Sequence, residues 1–156
     1  MSKPSDCPGV VVLPPILYGG TFILVLVLHW IWRLPIVEDA ADLLWPGVAL
    51  AVLAVAIAMW GRSTMHAAGT NISPLKPANS IVTTGPFRFT RNPLYLSITL
   101  LYLGLILISD TWWGMICLLP LLVVMHNGVV LREEHYLEQK FGETYRNYRA
   151  SVRRYL

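Results

Sequence analysis

Two adjacent carboxylates, Glu133 and Glu134, follow directly on an apolar run that ends at Leu131. A helix C-terminus favours cations over acids, and a carboxylate drawn toward lipid loses hydration. The pair is therefore either a solvated helix end neutralised by Arg132 and His135, or a site. In the second case one acid meets a ligand cation or sugar hydroxyls and the other orients a substrate. A further cluster is the block from Thr83 to Tyr95, where Gly85-Pro86 makes a turn, Phe87, Arg88, Phe89 and Arg91 alternate aromatics with cations, and Asn92-Pro93 opens a helix. Position alone also explains such residues, because aromatics and arginines gather at membrane interfaces. Near the end of the same apolar run lie His126 and Asn127. Asn127 precedes Glu134 by seven residues, so an unbroken helix puts both on nearly one face and extends a polar strip inward. An interhelical hydrogen bond would explain these two residues equally well. His29 reads as an interfacial anchor, and His66 has no carboxylate near it in sequence.

The elements that position these groups follow from composition. The 156 residues are 55% apolar and only 13% charged, against about 25% charged in an ordinary soluble domain, so the chain reads as a single membrane domain. Four helices of about 20 residues, each crossing about 30 Å of hydrocarbon, leave no room for a second soluble domain. The net charge of +3 then sets topology and does not indicate nucleic acid. Cys7 and Cys117 have no spacing partners, so a cysteine metal site is not expected. HExxH, GxSxG, Walker and GxGxxG arrangements are missing, which removes most support from hydrolase and soluble nucleotide-binding readings. The region 1–9 does not read as a cleaved signal peptide.

The expected fold is all-α, with membrane spans at 10–32, 43–60, 93–109 and 112–131. Pro14 and Pro15 fall in the first turn of the first span, where a missing donor costs little. The second is rich in Ala and Val, which permits close helix approach in lipid. Ser109, Asp110 and Thr111 leave only a tight turn between the third and fourth. A loop at 61–92 exceeds the usual length of about 12 to 15 residues and is the first place to expect function. The tail 132–156 carries Tyr136, Leu137, Phe141, Tyr145 and Tyr148 at helical spacings, predicting an amphipathic helix broken near Gly142. Four spans put the N-terminus, the loop and the tail on one side with eleven of the twelve Lys and Arg residues, all except Arg33. By the positive-inside rule that side is cytoplasmic, and the short loops suit a bacterial inner membrane.

Taken as an ordered set, Asn71-Ile72-Ser73-Pro74, the segment from Leu75 to Gly85, the block from Gly85 to Tyr95, Glu133-Glu134 and the FGxxYxxY run from Phe141 to Tyr148 resemble the isoprenylcysteine carboxyl methyltransferases and the related small phospholipid and thiol methyltransferases of membranes. The resemblance covers roughly residues 60 to 150. It implies S-adenosylmethionine on the cytoplasmic face, contacted by Asn79, Ser80, Ile81, Val82, Phe87, Asn92, Pro93, Leu94, Tyr95 and Glu133. An aromatic can stack on adenine or face a sulfonium, and a carboxylate can accept from ribose. Asn92 stands where the family often has His. Carboxyl-methylating members carry Arg one turn before the glutamates, where this chain has Val129, which cannot pair with a carboxylate. The expected acceptor is therefore a lipophilic thiol, an amine or a phospholipid headgroup, and not a prenylcysteine carboxylate. Glu134 is the expected base, with His126 and Asn127 beside the substrate. Rival readings are a membrane reductase of the sterol-reductase type using a nicotinamide cofactor, and a non-enzymatic adaptor holding anionic lipid through its basic tail.

Overall fold

The computed structural model describes residues 7–155; Lys3, part of the charge argument, and Leu156 lie outside them. Among the described residues there are six α-helices and no strand: α1 (Pro14–Ile31), α2 (Ala41–Ala67), α3 (Pro93–Ile108), α4 (Trp112–Met125), α5 (Leu131–Phe141) and α6 (Glu143–Ser151). A 3-10 turn at Gly85–Arg88 interrupts the loop before α3. Three helical stretches, Pro14–Ile31, Ala41–Ala67 and Trp112–Phe141, are long and apolar enough to cross a membrane; α3 is apolar but shorter.

The membrane half is held by close backbone approach and an aromatic core. A methyl group on Gly47 would stand 2.8 Å from the Gly104 carbonyl oxygen, and one on Gly104 2.8 Å from that of Gly47, so α2 and α3 touch backbone to backbone. Tyr18, Tyr102, Ile106, Leu121, Met125 and Val129 form the buried cluster where α1, α3 and α4 meet. The Tyr18 and Tyr102 rings pack edge to face at 5.8 Å. At the far end Asp110 adopts a left-handed conformation, φ 43°. Its carboxylate accepts from the Ile36 and Val37 amides at 2.8 and 3.1 Å, which ties the α3–α4 turn to the α1–α2 link.

Two element boundaries differ from the sequence expectation. Helix α2 continues to Ala67, past the expected loop start at 61. The hydroxyls of Ser63 and Thr64, residues that usually leave helices, bond back to the Trp60 carbonyl, and helical Gly61 lets Leu94 pack close against the backbone, where a Cβ would stand 2.9 Å from its side chain. The helix then ends at Gly69, φ 66°, with Thr70 N bonded to Met65 O and Gly69 N to His66 O. The second difference concerns the fourth span, which does not stop near Leu131. It passes through a π turn at His126–Val130 and continues into α5. The glutamate pair therefore sits inside a helix of 30 residues, and the argument from an unfavourable helix C-terminus does not apply to it. The break expected near Gly142 is present, with φ 54° separating α5 from α6.

Candidate active site

Loop 68–92 folds over the end of α2 through its own polar groups. Buried Thr70 accepts from the Asn79 and Ser80 amides at 3.0 and 3.4 Å. The Asn79 side chain donates to Gly69 O and the Ser80 hydroxyl to Ala68 O. The Ala78 amide reaches α5 by donating to the Tyr136 hydroxyl at 3.1 Å. Further on, Gly85 turns at φ 58° against Thr64, where a side chain would collide. This leaves Phe87 buried, with its carbonyl accepting from the Tyr148 hydroxyl of α6 at 2.8 Å.

The π turn decides what the two glutamates face. One extra residue in the turn rotates α5 by about 100° relative to α4, so Asn127 and Glu134 do not share a face: Asn127 is exposed and Glu134 buried. The expected continuous polar strip is thus broken. Glu134 takes Arg154 through both oxygens, at 2.9 and 2.8 Å, and Arg91 at 3.2 Å. Glu133 points elsewhere and accepts from the Tyr95 hydroxyl at 2.5 Å. After α6 the chain returns over residues 90–92. Arg91 N donates to Arg153 O at 2.9 Å, and the Thr90 hydroxyl and Asn92 side chain both donate to Arg154 O. Tyr155 then meets His126 Nδ1 at 2.8 Å.

Outside the spanning helices, burial and charge move the titrations of these groups. The Tyr145 phenol is pushed up to about 12, first by burial and then by the Glu134 charge, with Arg91 opposing. Burial also raises Tyr148 and Tyr155. The hydrogen bonds to Glu134 raise Arg154. All these tyrosines therefore stay neutral donors at ordinary pH, and the arginine stays charged.

A chamber of about 90 Å³ lies between the loop, the 3-10 turn, α5 and α6. Of the residues expected to hold the cofactor, Ser80, Ile81, Val82, Phe87, Asn92 and Glu133 line it. Pro93, Leu94 and Tyr95 line an adjoining groove of about 560 Å³, which shares Phe87, Arg91, Asn92 and Glu133 with the chamber. Asn79 lines neither, because its side chain is spent on the α2 cap. His126 and Asn127 border a separate cavity of about 440 Å³ behind Tyr95; Asn127 bonds back to Val123 O. Val129 is fully buried in the apolar cluster and faces neither chamber nor groove. Glu134 lines the chamber, but the arginines occupy both its oxygens.

Sequence reasoning missed Arg91, Met65, Asn71 and Arg154 as parts of this site. Arg91 is 8% exposed at its side chain, and its Nε is buried without a hydrogen-bond partner among the described residues. Its place beside Asn92 was a signal. Arg154 had none, because a basic tail looks the same whether solvated or folded back.

The model of the phospholipid methyltransferase family matches residues 43–144, from the start of α2 into α6. The chain belongs to the phospholipid methyltransferase family. It is thus an integral-membrane methyltransferase by descent, and the match spans the loop, both glutamates and the groove apart from its wall at residues 13–16, while stopping short of Tyr145, Tyr148 and Arg154. An uncharacterized protein of Haemophilus influenzae is 41% identical over 66 residues, which are 40% of this chain and all of that protein. No solved structure matches the chain.

Proposed function

We propose that this family member transfers a methyl group from S-adenosylmethionine, which is too large for the chamber alone and is held where the chamber meets the groove at their shared Phe87, Arg91, Asn92 and Glu133, to a lipophilic acceptor with a thiol, amine or phospholipid headgroup entering along the groove. The observation that carries the reading is that Arg91, whose buried Nε has no partner among the described residues, and the Glu133 carboxylate line one small chamber. A buried donor without an acceptor costs about 1–3 kcal/mol, so a ligand carboxylate would relieve it. A cationic centre or ribose hydroxyls would suit Glu133. S-adenosylmethionine carries all of these groups. Its adenine suits the wall of Ile81, Val82 and Leu137 with Phe87 at its edge. When bound, it supplies a methyl group activated by a sulfonium.

The chain's own residues align and desolvate. Tyr95 holds one oxygen of Glu133 and leaves Oε1 without a protein partner among the described residues. On this reading Glu133 Oε1 takes the proton from an acceptor ammonium or thiol. On the same reading Glu134 is not the base, because two arginines bind both its oxygens and favour its charged form over a protonated one; it holds Arg91 in place. The buried position of Val129 leaves no cation there for a prenylcysteine carboxylate. Helix α3, at 16 residues, crosses as a fourth span with local bilayer thinning. The chamber then lies on the cytoplasmic face of a bacterial inner membrane, on the side rich in Lys and Arg.

The test is thermal unfolding of detergent-purified protein with S-adenosylhomocysteine, S-adenosylmethionine or NADPH. The first two raise the midpoint, and Glu133→Gln removes the rise. Lipid products gain the mass of one CH₂ only with S-adenosylmethionine. Stabilisation by NADPH alone would favour the reductase reading, and stabilisation by none of the three the adaptor.

A further inference from the structure

Val152 leaves α6 in an extended conformation, and the strap that follows is fastened across the start of α3. Arg153 O accepts from Arg91 N, and Arg154 O accepts from the Thr90 hydroxyl and the Asn92 side chain. These bonds carry the Arg154 side chain to α5, where its Nε and Nη2 reach the two oxygens of Glu134 at 2.9 and 2.8 Å. Tyr155 anchors the far end on His126. The strap lies past residue 144, where the family match ends, and Arg154 borders neither the chamber nor the groove. Whatever it does for a ligand, it does through Glu134.

Glu134 is held unequally by its two arginines. Arg154 takes it as a fork, the strong arrangement for an arginine and a carboxylate. Arg91 reaches Oε1 through Nη1 alone, at 3.2 Å, and the same nitrogen faces the Tyr145 hydroxyl at 3.5 Å. Its Nε, on another edge of the planar guanidinium, is buried without a partner among the described residues. A carboxylate beside a buried arginine with an unmet donor would ordinarily close into a bidentate pair, because an unmade buried bond is costly. Here Arg154 already holds both oxygens. We infer that Arg154 is a positioning residue: by occupying Glu134 as a fork it confines Arg91 to a single-nitrogen contact and keeps the Arg91 Nε free for a ligand carboxylate. The strap thereby sets ligand affinity from outside the chamber. This inference rests on the reading above, in which Arg91 meets the carboxylate of S-adenosylmethionine.

The experiment measures calorimetric binding of S-adenosylhomocysteine and of its decarboxylated analogue, S-adenosyl-3-thiopropylamine, to the purified full chain in neutral detergent. The two probes differ by one carboxylate. Arg154→Gln should weaken the first about tenfold, the order of one charge-assisted hydrogen bond, and leave the second unchanged. Arg154→Lys keeps a charge beside Glu134 without the fork, and its affinity for S-adenosylhomocysteine should fall between those of the unaltered protein and Arg154→Gln. Equal weakening of both probes, as from a collapsed chamber, or no weakening of the first overturns the inference. A second readout needs no ligand: the ¹⁵N–¹H resonance of Arg91 Nε, assigned by its loss in Arg91→Lys, should move to lower field in Arg154→Gln as the donor turns to Glu134. That shift in a protein that binds neither probe would keep Arg154 as a positioning residue and reject the S-adenosylmethionine reading. An unmoved resonance overturns the inference whichever probes bind.

Discussion

The membrane half and the polar half of this protein are built by opposite means. In the first, α2 and α3 approach through Gly47 and Gly104, and an apolar cluster around Tyr102 and Ile106 fills the space between helices. In the second, α5 and α6 carry little apolar surface. The loop, the 3-10 turn and the returning tail are joined by hydrogen bonds between groups far apart in sequence, such as Tyr148 to Phe87, 61 residues away, and Asn92 to Arg154, 62 residues away. The difference teaches that the frame is held by contacts between packed helices, whereas the site exists only where distant polar groups meet. Glu133 and Glu134 show this at its smallest scale: adjacent on α5, the first meets Tyr95 of α3 and the second meets Arg91 and Arg154.

The comparison breaks hardest at Glu134. Replacing it by Ala leaves Arg91 without its partner inside the protein, a loss of about 3 kcal/mol for a broken buried pair. A fall in thermal midpoint together with lost S-adenosylhomocysteine binding is expected. Glu133→Gln should lose the binding and keep the midpoint; a matching destabilisation in both would erase the distinction between the two acids. Next comes Gly104→Ala, whose added methyl meets the Gly47 carbonyl oxygen at 2.8 Å. Overpacking of about 2 kcal/mol is expected, seen as a lower midpoint with ligand affinity per folded molecule unchanged. A specific loss of affinity would show that the halves are coupled. Tyr148→Phe deletes the bond to Phe87 O and should cost about 1 kcal/mol, with weaker ligand binding as the readout because Phe87 borders the chamber. Smallest is Asn79→Ala. It removes one exposed bond to Gly69 O and should change stability by about 0.5 kcal/mol or less without altering ligand affinity; a large drop in affinity would return Asn79 to the site.

The helices were legible because hydropathy and proline positions are local properties: α1, α3 and the start of α4 fall within a few residues of expectation. The chamber's lining was legible in part, since the resemblance pointed to Ile81, Val82, Phe87 and Asn92, and all four border it. The end of α2 was not, because Gly61, Ser63 and Thr64 carry loop signals that a neighbouring Leu94 and back-bonded hydroxyls override. Nor was the separation of His126 and Asn127 from the glutamates, because a π turn carries no distinctive residue pattern.

Residue order and type alone were enough to require a helical membrane protein with its polar chemistry gathered in the loop and tail, because burying backbone in lipid allows few alternatives. Which partner each carboxylate takes, which arginine keeps an unsatisfied donor and which tail residues border the chamber were settled in three dimensions. Those outcomes depend on the rotation of α5 after its π turn and on contacts across some 60 residues of chain, and no local rule encodes either.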